Sequence, residues 1–175
     1  MHQYLDLILK VIAIILSSVA VLQLFEVRKK RHIDMFWKIY EIYTSQIQKT
    51  ARKTAVDLRP PIKEQIDIGL SREEIMNFYR DTYHKTTDQS KKELDRNVMD
   101  RIRFFNQIGQ LLKRKMINKD MLFELVGLGL EYDYITIELI LATHRRDHDA
   151  PMMYRAFEET YKQYTLWKKT KLAKI

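Results

Sequence analysis

At 175 residues, the chain has length for one modest domain and an anchor. Its 4 glycines and 3 prolines are too few for a turn-rich all-β protein, and the lack of cysteine excludes a disulfide scaffold, a thiolate metal site and a thiol nucleophile. The formal net charge of +8 points to phosphate-bearing partners, in nucleic acid or on anionic lipid headgroups, without choosing between them.

The first element is apolar. Val11 to Phe25 carries no charge and covers about 22 Å as a helix, short of a hydrocarbon core of roughly 30 Å. Starting at Leu5 makes the length sufficient, with Lys10 snorkelling outward and able to pair with Asp6 one turn away. A signal peptide is a poorer fit, because Asp6 spoils the basic leader and no A-x-A site comes after the apolar run. The run ends instead at Arg28-Lys29-Lys30-Arg31, a stop-transfer cluster that the positive-inside rule places in the cytoplasm. A buried helix of a soluble core is the competing reading. The preferred division is a transmembrane helix at 1–27 and a cytoplasmic helical domain at 28–175, with a basic neck at 28–32 that meets anionic headgroups.

Around the first helix, Asp6, Lys10, Ala13, Ser17 and Ala20 recur at 4-3-4-3 spacing and share one stripe. Small residues let helices approach, and charges avoid lipid by facing a bundle or water. The stripe therefore predicts self-association, either as a tight seam or as the lining of a pore.

Helical spacing resumes at Phe36, Tyr40, Tyr43, Ile47, Ala51, Ala55 and Leu58, in a helix that runs on from the membrane segment and should stop at Pro60-Pro61. Ser71-Arg72-Glu73-Glu74 has capping-box spacing and opens a helix with Ile75, Phe78, Tyr79 and Tyr83 inward. Thr86 to Gln89 reads as a loop. Ser90-Lys91-Lys92-Glu93 has the same capping spacing and opens a long helix through Leu94, Val98, Ile102, Phe105, Ile108 and Leu112. Asn118 caps the next helix, which Gly127 and Gly129 should kink or interrupt before Tyr134 to Leu141. Ala150-Pro151 opens the last helix, marked by Tyr154, Phe157, Tyr161 and Tyr164. The fold class is all-α, and most tyrosines sit at core spacing.

Chemical motifs are sparse. His144 and His148 are four apart, but Arg145 stands where a zinc protease would carry its glutamate, so the pair reads as a solvated polar turn with no metal. Arg96, Arg101, Arg103, Lys113, Arg114 and Lys115, with Phe104 and Phe105 for stacking, outline a nucleic-acid surface, although Phe105 belongs to the inward stripe. No phosphate loop, nucleophile elbow or paired-carboxylate signature appears, so neither a cofactor nor a catalytic residue is expected.

The layout of one apolar N-terminal helix, a basic neck and long helices resembles the small accessory membrane proteins of type VI-B CRISPR systems, and RNVMDRIRFFNQIGQLLKRKMINKDMLFEL from Arg96 to Leu125 resembles the helical core of membrane-anchored bacterial defence proteins. The resemblance implies a divergent HEPN-like helical bundle behind a single-pass helix in the bacterial inner membrane, N-terminus outside. It further implies a ring-like homo-oligomer forming a pore, which enhances antiphage defence beside an RNA-guided CRISPR nuclease by depolarising the membrane. HEPN ribonucleases use an arginine with a histidine five to seven positions on. Arg96-Asn97 fits the start, but Arg101, Ile102 and Arg103 occupy the histidine positions, and Arg80 to His84 is one residue short. The expectation is thus a pore without ribonuclease activity. A membrane-tethered RNA-binding protein or ribonuclease, or a non-conducting scaffold, are the alternatives.

Overall fold

The structure, a computed structural model, describes the backbone of residues 2–173 and the side chains of 16–134 and 136–173. Among the described residues it is all-helical: α1 (His2–Thr44), α2 (Gln46–Asp67), α3 (Arg72–Tyr79), a π turn (Arg80–His84), α4 (Gln89–Lys113), α5 (Lys119–Asp147) and α6 (Arg155–Leu172). No helix among the described residues is long and apolar enough to cross a membrane.

Local polar chemistry sets the helix starts. Ser71 Oγ accepts from the Glu74 N–H while the Ser71 N–H donates to the Glu74 carboxylate, the reciprocal capping box expected from the spacing. Asn118 accepts from the Asp120 and Met121 N–H groups at the head of α5. Replacing Asn118 by alanine should lower stability by about 1 kcal/mol, readable as a shift in the denaturant midpoint. At α4 the cap is Asp88, which accepts from Ser90 and Lys91 N–H, two residues ahead of the expected Ser90.

Three expectations about helix breaks are corrected. The first helix ends at Thr44, because Ser45 turns extended and caps α2 through the Gln48 N–H. Pro60 and Pro61 lie inside α2 and do not end it. Each proline forgoes a backbone donor, but Leu58 and Ile62, on either side of the pair, are both buried, and tertiary packing holds the helix together. Its true stop is Gly69 at φ +84°, with the Leu70 N–H returning to the Gln65 carbonyl. Gly127 and Gly129 likewise do not interrupt α5; they are points of close approach, Gly127 to the Tyr164 ring and Gly129 to Arg101 and Tyr43. The last helix starts at Arg155, after a turn at 151–154.

The central helix is α4, which packs chiefly against α6 and α2. Ile102, Phe105 and Ile108 meet Leu58 and Ile62 of α2, Leu122, Val126, Leu130 and Ile137 of α5, and Phe157 of α6 in one core. Several tyrosines take the expected packing roles, Tyr134 stacking on Tyr161 at 3.5 Å between ring centroids and Tyr79 on Tyr83 within the core at 5.4 Å, whereas Tyr40 and Tyr132 are exposed. Within this core Arg101 is fully buried. Its Nε donates to Asp133 Oδ2 at 2.8 Å, its Nη1 to Gln48 Oε1 at 3.2 Å, and its plane lies 4.4 Å from the Phe105 ring centroid.

The second half of α1 joins this body through Ile39, with Met35, Phe36 and Tyr43 alongside. Among the described residues, the apolar side chains at 16–27 do not. Leu16, Val19, Val21, Leu22, Leu24, Phe25 and Val27 are all exposed, Leu22 by 65%.

Candidate functional site

The densest polar chemistry begins at the π turn. Tyr79 ends α3, and the wider turn after it closes with the Lys85 N–H on the Arg80 carbonyl. Such turns recur at functional sites because they re-aim the side chains they carry. Here His84 meets Asp95 of α4 and His144 of α5.

Asp95 is the hub. It accepts from the Tyr79 hydroxyl at 2.6 Å, from His144 Nε2 at 2.8 Å and from His84 Nδ1 at 3.2 Å. Burial works to raise its carboxyl, but the hydrogen bonds from His144 and Tyr79, with the neighbouring His144 and His84, hold it at about 2. Burial, then the Asp95 charge, pushes the Tyr79 hydroxyl well up, so it remains a donor. An ionised Asp95 has only lone pairs to offer, so both facing imidazole nitrogens carry hydrogen. In the neutral form of each ring, His84 Nε2 and His144 Nδ1 are then the acceptor atoms.

His148 lies one turn beyond His144 on the same face of α5, their rings 6.0 Å apart. The His84 ring is 4.2 Å from that of His144 and 5.8 Å from that of His148. One nitrogen from each of the three rings lies within 4.8 Å of the other two. Asp147, whose side chain is 6% exposed, approaches His84 Nε2 at 3.9 Å and has the Lys85 ammonium 3.2 Å from its Oδ2. The same Oδ2 is buried and makes no hydrogen bond.

A cavity of about 470 Å³ opens beside the cluster, lined by Asp95, Arg96, Arg103, His144, His148 and Tyr154 among others. The solvated polar turn expected at His144–His148 is corrected for His144, which is buried in the last turn of α5 because Asp95 satisfies its ring, whereas His148 lies exposed in the turn that follows α5. Arg96 is exposed, and Asn97 reaches Thr54 at 3.5 Å. Sequence spacing leaves Arg96 without a histidine; the fold supplies His144 and His148 from another helix. The only linear signal for the cluster is the His144–His148 pair.

The expected nucleic-acid surface does not survive intact. Arg101, Phe104 and Phe105 are buried, so none offers a face to a base, while Arg103 stays at the surface on Asp100. Arg114 and Lys115 turn instead toward α1. With Arg28, Arg31 and His32 they line a cleft of about 480 Å³, and His32 Nδ1 there is buried without a hydrogen-bond partner. Lys29 and Lys30 are exposed on the same neck. Of the stripe, Ser17 and Ala20 lie on the exposed early turns of α1. The side chains of Asp6, Lys10 and Ala13 lie outside the described residues.

No curated protein and no solved structure matches the chain. One family model does, over residues 13–164, which takes in α2 to α5 whole, most of α1 and more than half of α6. The chain belongs to the family described as "Domain of unknown function (DUF4760)".

Proposed function

We propose that this chain is a membrane-anchored homo-oligomer whose α1 helices gather into a pore through the bacterial inner membrane, with the other helices forming a cytoplasmic HEPN-like assembly domain. The observation that carries the reading is the run of exposed apolar side chains from Leu16 to Val27, leading directly into Arg28–Arg31. Left in water, a helix face of this kind costs about 25 cal/mol for each Å² of apolar surface, and lipid or other α1 helices remove that cost. Residues 5–15, outside the described side chains, complete the span in this reading. The cleft of Arg28, Arg31, His32, Arg114 and Lys115 supports it, because it gathers cations from two helices at the level where headgroup phosphates would lie.

In mechanism, the helical domain sets the subunit number through one repeated interface, and the stripe of Asp6, Lys10, Ala13, Ser17 and Ala20 lines the axis. Asp6 and Lys10 oppose one another in charge, so ion selectivity is weak. The resemblance to type VI-B accessory proteins adds the setting: depolarisation that enhances antiphage defence beside an RNA-guided nuclease.

The test combines location, mass and conduction. Full-length protein should sediment with membranes, run in mild detergent as a multiple of 21.2 kDa, and depolarise cells in a potential-dye assay. Ser17→Leu and Ala13→Leu should abolish the dye response while leaving sedimentation intact. Protein that stays in the supernatant after ultracentrifugation, or a single-chain particle, overturns the proposal. On anionic vesicles, Arg114→Ala and Lys115→Ala should each weaken binding about fivefold, the effect of roughly 1 kcal/mol per basic residue near the surface.

A second reading rests on a separate observation. Arg96 shares a cavity with His144 and His148, a cation and candidate general bases together, as RNA cleavage requires. RNA cleavage by purified protein that disappears in Arg96→Ala would replace the pore reading with a membrane-tethered ribonuclease.

A further inference from the structure

His84, His144 and His148 converge from two elements far apart in the chain. His144 and His148 share a face of α5 because they are four apart, and the π turn brings His84 up to them. Three imidazoles so close together gain little from one another unless something shared holds them. Protonated, they would repel; neutral, each places a lone pair near the next.

Asp95 resolves the orientation. By accepting from His84 Nδ1 and His144 Nε2, it turns the opposite nitrogen of both rings away from itself. A carboxylate behind a histidine, holding its far nitrogen, is the arrangement that orients metal-ligating imidazoles and raises their basicity. Here one carboxylate does this for two rings. It is itself anchored by Tyr79 at 2.6 Å, so the ligand frame is tied into the α3–α4 core. A further negative group, Asp147, stands 3.9 Å from His84 Nε2, its buried Oδ2 paired with the Lys85 ammonium at 3.2 Å.

We propose that His84 Nε2, His144 Nδ1 and one ring nitrogen of His148 form a binding site for a divalent transition metal of the zinc class. An all-imidazole set with no thiolate suits zinc, nickel, cobalt or copper and discriminates against calcium and magnesium, which need oxygen ligands. One nitrogen of each ring lies within 4.8 Å of one on each of the other two, and tetrahedral coordination at about 2.0–2.1 Å needs ligand nitrogens about 3.3 Å apart. His148 makes most of that adjustment, since it is exposed while His84 and His144 are held by Asp95. The cavity reaching His144 and His148 leaves room for a water or an anion as a fourth ligand, with Arg96 and Arg103 on its wall to receive negative charge.

The site is tested on tag-free, full-length protein in mild detergent, stripped with chelator and titrated with zinc chloride. One zinc per chain should bind, seen by elemental analysis after gel filtration, and the thermal midpoint should rise with zinc and not with magnesium. His148→Ala, at an exposed position that the core does not need, should weaken zinc binding at least about 100-fold while leaving the metal-free midpoint unchanged. Asp95→Asn should weaken it by about 10–100-fold by releasing the two rings it orients. Absence of stoichiometric zinc in the wild type, or equal zinc binding in wild type and His148→Ala, overturns the proposal. The readouts involve neither conduction nor membrane sedimentation, so the metal site and the pore reading fail independently.

Discussion

Asp133→Leu is expected to destabilise the helical domain by about 3–5 kcal/mol, and to cost more than Arg101→Met at the other end of the same ion pair. Both side chains are buried, Arg101 completely, and the Nε–Oδ2 distance is 2.8 Å. The asymmetry comes from what the survivor can do. Burial pushes the Asp133 carboxyl up against the pull of Arg101, so an Asp133 without its partner escapes its charge by taking a proton. A guanidinium has no such exit, because it stays protonated at any workable pH. After Asp133→Leu it would remain charged among Phe105, Tyr43 and Phe104, with Gln48 as its one neutral acceptor. Denaturant unfolding of the two single variants and of the double variant Asp133→Leu with Arg101→Met provides the check. The double variant should recover stability relative to Asp133→Leu alone, since the uncompensated charge leaves with the arginine. Equal losses in the two singles, or a loss below about 1 kcal/mol in Asp133→Leu, would show that the pair is solvated in the folded protein.

This pair also marks where sequence reading runs out. Spacing places Arg101 among surface cations of α4, and nothing local argues otherwise, because the carboxylate that draws it inward lies 32 residues away on α5. Features settled within one turn were legible: the Ser71 capping box, the Asn118 cap and the inward stripe of α4 from Val98 to Ile108. Features settled by a facing helix were not. Pro60-Pro61 reads as a stop on donor loss alone, yet buried neighbours carry α2 past it. The histidine site divides the same way. His144 and His148 show their shared face in the sequence, whereas His84 depends on a π turn and Asp95 on the packing of α4 against that turn.

The glycines give the clearest instance of that division and the second large effect. In isolation, Gly109→Ala should stabilise α4 by up to about 1 kcal/mol, since alanine is the better helix former. In this fold it should be among the most damaging single-methyl additions. A Cβ at Gly109 would sit 2.3 Å from the Ala156 carbonyl oxygen and 2.3 Å from Thr160 Oγ1. The carbonyl belongs to the backbone of α6 and already accepts from the Thr160 hydroxyl at 2.6 Å, so neither atom can step aside without moving the helix. Packing between α4 and α6 is the most extensive in the body, and Phe157, fully buried, lies one residue beyond the obstructed carbonyl. Separating the two helices by the missing ångström would loosen the Phe105–Phe157 contact as well. The net loss should be about 3 kcal/mol, the overpacking penalty prevailing over the propensity gain. Gly127→Ala is the informative partner. Its added Cβ meets the ring of Tyr164 at 2.2 Å, a side chain and not a backbone, so a second change of Tyr164→Leu should relieve much of its cost. No trimming of Thr160 should rescue Gly109→Ala, because the Ala156 carbonyl remains. Unfolding curves for Gly109→Ala, with and without Thr160→Ala, decide it: a Gly109→Ala protein as stable as wild type would mean that α6 packs farther from α4 than these distances require.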